Sequence, residues 1–189
     1  MSELSILLRK VQFACMVSWK KRSQWLKDNN IFYECGEHLL FQPRKLPNDP
    51  KLIKIHNNVA VAADVCFENH DVIHWIIQGV LPDCGVKSHI GCIEIMDNVF
   101  IGAGSMIMPN VKIGPNVIVG AGSIVTKDIP EGVIVAGAPA RVIGSFEELV
   151  KKRIEESKLI HTWDRDARIE DEWKKFYIRR INEQEKDEN

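Results

Sequence analysis

Three coincident registers predict that this 189-residue chain is mainly β, built as a parallel β-helix with a helical segment before it and a helical extension after it. Ile95, Ile101, Ile107, Ile113, Val119 and Val125 fall six residues apart without a miss, and Ile55, Val61 and Phe67 make an earlier run. The residues two before the later beats, Ile93, Val99, Ser105, Val111, Val117 and Ser123, are small or β-branched enough to point inward beside them. A third column, three before the beats, runs Asn58, Asp64, Asn98, Gly104, Asn110, Asn116 and Gly122 and continues to Asp128. These residue types tolerate a left-handed backbone conformation. A step of six is neither a helix period nor a simple hairpin spacing. A strand with two inward residues, a corner through a residue of that kind and a repeat every six together coil into a triangular prism, three hexapeptides to a turn. An antiparallel sheet turning every six residues would need all three registers to coincide by accident.

The elements follow in order. Residues 1–30 form a helical segment: Leu4, Leu7, Leu8, Val11, Ala14 and Cys15 recur at three- and four-residue steps, which predicts an amphipathic helix over roughly 2–29 with that face buried. Arg9, Lys10, Lys20, Lys21, Arg22 and Lys27 read as its solvated face rather than as an anion site, and Asp28, Asn29 and Asn30 end it. From about 31 to 54, Gly36, Pro43, Pro47 and Pro50 exclude a long helix and favour short extended pieces that lead into the coils. The β-helical domain spans 31–144. Its count lapses between Phe67 and Ile95 over a span that is not a multiple of six, so part of it leaves the prism as an excursion loop, about 70–92. Pro130 and Pro139 close the stack, and Ser145 to Glu148 form a capping box. That box opens a charged helical extension, 145–189, with Trp163, Trp173, Phe176 and Tyr177 as packing anchors.

Composition narrows the function classes. A net charge of -1 gives no overall electrostatic signature and disfavours nucleic acid as the main partner. Five cysteines, an odd number without a CxxC pair, argue for reduced thiols and a cytoplasmic setting. No stretch approaches the roughly 18 to 20 apolar residues of a membrane span, and FACMVSW lacks the length and cleavage site of a signal peptide.

The residues with chemistry cluster where the count lapses. His70, His74, Trp75, Asp83 and His89 lie in the excursion, and loops on a rigid scaffold are where catalytic groups are placed. The stretch 52–144 resembles the hexapeptide-repeat acyltransferases, in particular the coenzyme A-dependent O-acetyltransferases of galactosides, maltose and capsular polysaccharide. The resemblance is carried by IGAGSMIMPNVKIGPNVIVGAGSIVTKDIP, by the ending GAPARVI and by Asn69-His70-Asp71 at the root of the excursion. It implies a left-handed prism and a homotrimer with sites between neighbouring subunits. It also implies acetyl-CoA as co-substrate without a metal, and a hydroxyl-bearing acceptor, a sugar or polysaccharide precursor.

By the same resemblance His70 is the general base, a role suited to an imidazole that titrates near neutrality. Glu68, Asn69 and Asp71 are candidates to orient it or the acceptor, and His74 and Trp75 are candidates to line an acceptor pocket. Matching motif to motif, Phe100, Ala103, Ala121, Thr126, Lys127 and Arg141 fall along the coenzyme, with Arg141 near its phosphates. Phe100 replaces the tryptophan that some relatives carry. The coil NVAVAADVC lacks the asparagine that galactoside-acetylating relatives use, so their acceptor contacts do not carry over. Three other readings stand beside this one: N-acyl transfer to an amino sugar, a zinc enzyme of the γ-carbonic-anhydrase kind recruiting His70, His74 and His89, and a solenoid scaffold without activity.

Overall fold

The computed structural model describes residues 3–158 and 164–187. Its first compact unit, Met1–Glu148, contains the coils, and the described residues of its second, Leu149–Asn189, are almost all helical.

Two helices precede the coils, α1 (Glu3–Cys15) and α2 (Trp19–Asp28), where the periodicity predicts one. The break between them has a visible cause. Arg22 is buried, and its guanidinium donates to the carbonyls of Met16 and Val17 at the break and to those of Phe41 and Gln42. Carbonyls that another helical turn would occupy are thus satisfied by a charge, and the charge by carbonyls. The face expected to be buried is also reversed: Leu4, Leu7, Leu8 and Val11 keep between 52% and 65% of their surface. α1 meets the body through Phe13, on the other side of the helix, whose ring lies 5.4 Å from Trp25 and 6.2 Å from Phe41. Periodicity identifies an apolar stripe, but the aromatic contact decides which side is covered.

The coils are short strands in three sheets that the chain visits in turn. β1 (Glu34–Cys35) and β2 (Leu40–Phe41) begin the first two sheets, and β3 (Ile53–Ile55), β4 (Val59–Val61) and β5 (Cys66–Phe67) complete one circuit. After the excursion, which carries α3 (Ile73–Val80), come β6 (Ile93–Ile95), β7 (Val99–Ile101) and β8 (Met106–Ile107). β9 (Val111–Ile113), β10 (Val117–Val119) and β11 (Ile124–Val125) make the next circuit, and β12 (Val133–Ala136) and β13 (Arg141–Ser145) end the stack. The sheets are ordered β1-β3-β6-β9, β2-β4-β7-β10-β12-β13 and β5-β8-β11. Every described pairing of strands is parallel except β12 with β13. Cys35 pairs with Ile55 and Phe41 with Val61, so coiling starts inside the stretch read as a lead-in.

The three registers correspond to three positions in each coil. The beats and their partners two residues earlier fill the core, from Ile93 and Ile95 to Val117, Val119 and Val125. Ser105 and Ser123 are fully buried, and both hydroxyls donate to the Gly120 carbonyl, at 3.0 and 2.6 Å. The corner residues Asn58, Asp64, Asn98, Asn110 and Asn116 take φ between 55° and 60°, and Gly104 and Gly122 take 68°. Asp128 stands outside that set; its carboxylate accepts the Lys112 N–H at 2.8 Å instead. The asparagines are stitched vertically, Asn58 to Asn98 to Asn116, by side-chain amide bonds of 2.9 Å. Asn98 and Asn116 are 18 residues apart, one circuit, whereas Asn58 and Asn98 are 40 apart because the excursion lies between them.

The middle residue of each strand points outward and gives each sheet its chemistry. On the first sheet Glu34, Lys54, Glu94 and Lys112 lie side by side, with Lys54–Glu34 at 2.6 Å and Lys112–Glu94 at 3.2 Å. A hydrogen bond from His56, then one from Lys112, holds the Glu94 carboxyl below the usual carboxylate range. The second sheet presents Ala60, Phe100, Ile118 and Ile134, and the third Cys66, Met106 and Ile124.

Ser145 Oγ accepts the Glu148 N–H at 3.5 Å as α4 (Phe146–Lys158) begins. In the second unit α5 (Arg165–Asp187) carries Trp173, Phe176 and Tyr177, which remain exposed rather than anchoring a core. Their rings pack on one another at 5.3 to 6.0 Å, with the Arg180 guanidinium 3.5 Å from the centre of Phe176. Trp163 lies outside the described residues.

Candidate active site

The excursion leaves and rejoins the third corner of the prism through a narrow neck. Asn69 is buried, its carbonyl accepts the Gly91 N–H at 2.8 Å, and His70 bridges to Ile90 across the neck. Asp71 closes the next rung: its N–H donates to the His89 carbonyl at 3.1 Å, and its own carbonyl accepts from Ser88 Oγ at 2.9 Å. His70 therefore sits on fixed backbone, although a loop follows it.

The ring is fixed as well. His70 Nδ1 lies 3.1 Å from Asp49 Oδ2 and 3.4 Å from Asn69 Oδ1, both acceptors, so Nδ1 carries the proton and Nε2 is the basic nitrogen. Asn69 also holds the carboxylate's own segment, its Nδ2 donating to the Asp49 carbonyl at 2.6 Å. Asp49 comes from the proline-rich stretch between β2 and β3, and nothing local in the sequence singles it out. Of the three orienting candidates, Asn69 meets both the His70 ring and the Asp49 segment, whereas Glu68 Oε1 accepts the Cys66 thiol at 2.9 Å and Asp71 Oδ1 accepts the Ile73 N–H at 3.0 Å where α3 begins.

Burial, with the hydrogen bond to Glu68 and that residue's charge, pushes the Cys66 thiol up to about 11. It stays protonated near neutrality and is a poor nucleophile there. All five cysteines are free thiols. Among the described residues no three His, Cys, Asp or Glu side chains gather as a metal site requires.

His70 borders an open depression of about 650 Å³ lined also by Glu68, Asp71, Val72, Ile73, His89, Met108 and Pro109. His89 Nδ1 stands 4.0 Å from Asp71 Oδ2 at its edge. His74 and Trp75, expected at an acceptor pocket, are not among the lining residues. Trp75 projects outward from α3, and His74 is half-buried with Nδ1 shielded from solvent.

The coenzyme candidates separate into two groups. Thr126 follows β11 one circuit beyond Met108, which follows β8, so it and Lys127 continue the column on His70's side; both are exposed. Phe100 is on the second sheet, flanked by Ala60 and Ile118 and 40% exposed. Ala103 and Ala121 stack at the corner after that sheet, where the Gly122 N–H donates to the Ala103 carbonyl at 2.8 Å. Arg141 opens β13, exposed, with Nη1 on the Ala140 carbonyl at 2.9 Å. Within one chain, Phe100, Ala103, Ala121 and Arg141 do not line the depression beside His70.

Residues 93–127 match the family described as bacterial transferase hexapeptide (six repeats). The chain is 40% identical over 131 residues to Protein CapG of Staphylococcus aureus, covering 69% of this chain and 71% of that protein. It is also 40% identical over 186 residues to the galactoside O-acetyltransferase of Lactococcus lactis subsp. lactis, covering 89% of this chain and 84% of that one. A solved galactoside acetyltransferase in complex with coenzyme A superposes with a TM-score of 0.55 at 26% identity, covering 83% of this chain and 82% of that chain.

Proposed function

Because the chain belongs to the bacterial hexapeptide-repeat transferases, and is an acyltransferase that takes acetyl-CoA as co-substrate, we propose that it acetylates a sugar hydroxyl with His70 as general base. The acceptor class follows the Lactococcus relative, and a cell-surface polysaccharide precursor is the sugar we assign. The observation that carries the mechanism is the engagement of His70 Nδ1 by Asp49 and Asn69, which leaves Nε2 to accept a proton at the depression.

The chemistry then needs no covalent enzyme intermediate. Nε2 takes the hydroxyl proton as the acceptor oxygen bonds to the thioester carbonyl carbon and the carbonyl electrons move onto its oxygen. Collapse re-forms the carbonyl and breaks the carbon–sulfur bond, and the departing thiolate takes the proton held on His70. Asp49 keeps the ring in one tautomer and balances the imidazolium during the step.

We infer further that the coil winds left-handed, as its hexapeptide-repeat relatives imply, and that three copies assemble so that each site is shared. The support is the separation of the two groups of coenzyme candidates: Phe100 on the apolar face, and Ala103 and Ala121 at the corner, do not line the depression beside their own chain's His70, as a site shared between copies requires.

Thiol release from acetyl-CoA, measured over a panel of sugars and amino sugars, tests the reading. The expected result is turnover with a hydroxyl acceptor that falls by about 10² to 10⁴ in His70→Ala. Undiminished turnover in that variant would remove His70 from the mechanism, and preference for amine acceptors would replace O-transfer by N-transfer.

A further inference from the structure

We propose that the outward face of α1 is a docking surface for an anionic lipid bilayer, bound peripherally and reversibly. The apolar arc is Leu4, Leu7, Leu8 and Val11, and it continues into Val17, which is 80% exposed, and Trp19 at the start of α2. Four large aliphatic side chains on one helix face, turned to solvent while the same helix is held from behind by Phe13, form an apolar patch that a soluble surface does not need.

The charge around the arc selects the occupant. Residues 4–27 contain no Asp or Glu, in a chain whose net charge is -1, and they carry Arg9, Lys10, Lys20, Lys21, Arg22 and Lys27. Some of these are already engaged: Arg22 is buried on four carbonyls, Lys27 pairs with Glu37 at 2.6 Å, and Arg9 bonds Asn29 and lies over Trp25. Lys10, Lys20 and Lys21 are exposed, with Lys20 Nζ 5.6 Å from the centre of the Trp19 ring. Lys10 flanks the arc, one turn being 3.6 residues, and Lys20 and Lys21 begin the next helix. An aliphatic stripe bordered by lysines with a tryptophan at its end matches the layers of a membrane surface, acyl chains below and anionic headgroups beside them. A second copy laid face to face by a two-fold axis would bring these lysines toward their own counterparts, which like-charge repulsion opposes; a contact of this face with a different face of a neighbour is read out by the mass measurement below. Among the described residues no helix is long and apolar enough to cross a membrane, so the contact lies in the plane of the surface.

The test is cosedimentation of the full-length protein with vesicles of phosphatidylcholine alone or with about one third phosphatidylglycerol. Pelleting with the anionic vesicles only is expected, with the partition falling about tenfold or more at high salt. A similar fall is expected in Leu7→Ser/Leu8→Ser and in Lys10→Gln/Lys20→Gln/Lys21→Gln, with the mass by light scattering unchanged. Equal pelleting with both vesicles, or with neither, overturns the proposal. So does a fall in mass in Leu7→Ser/Leu8→Ser, which would give the stripe to a second copy. The salt arm uses the unaltered protein, so it does not depend on any variant folding. The assay reads no acyl transfer, so its failure and that of the catalytic reading are distinguishable.

Discussion

At the scale of single residues, the pair that matters joins a carboxylate between β2 and β3 to a histidine after β5. In the proposed mechanism Asp49 positions His70 rather than meeting the reacting atoms, and its loss should therefore differ in kind from the loss of the proposed base. In Asp49→Asn the amide can present either an acceptor or a donor to Nδ1, so the tautomer is no longer imposed. We expect kcat to fall by up to about 10² with KM for acetyl-CoA little changed, and the acid limb of the pH–rate profile to move. An unchanged profile with a general loss of folded protein would make Asp49 structural. The histidine was legible in the sequence because it stands where a six-residue count lapses. Its partner was not: Asp49 reaches it only through the three-dimensional closure of the neck, and Glu68 and Asp71, nearer in sequence, are spent on Cys66 and on the start of α3.

At the scale of elements, the coil corners were the most readable feature and carry a direct prediction. Asn98 combines a φ of 60° with amide bonds to Asn58 and Asn116 at 2.9 Å. Asn98→Ala should cost about 1 to 3 kcal/mol in denaturant unfolding, part from the backbone conformation and part from the lost bonds. Asn98→Gly should recover the backbone part alone, and equal losses in the two variants would refute the assignment of strain to φ. Corners were readable because few residue types tolerate that φ. α1 was read with the wrong side inward, since a 3.6-residue period marks a stripe without naming what covers it. The first coil was missed although Cys35 and Phe41 are six apart, because two beats do not make a repeat.

At the scale of the whole molecule, a site divided between copies predicts complementation. His70→Ala and Ala103→Trp, one removing the base and the other filling the corner expected to face coenzyme, should each be inactive alone. Unfolded together and refolded, random mixing gives about a quarter of the interfaces one intact half from each variant, and turnover should return to about that fraction. No recovery, with mixed oligomers present by native mass spectrometry, would place both halves in one chain. The character of each outward face was not legible from the beats, which describe only the inward side; it lies in the middle residue of each strand. The first sheet's column, Glu34, Lys54, Glu94 and Lys112, adds something more. Its exposed pairs contribute little stability, about 0 to 1 kcal/mol each. Their order, however, gives every circuit a parity. Near-identical coils could stack on the wrong neighbour without offending the core, but skipping β6 would set Lys54 against Lys112, so the folding chain meets repulsion when it miscounts its own turns.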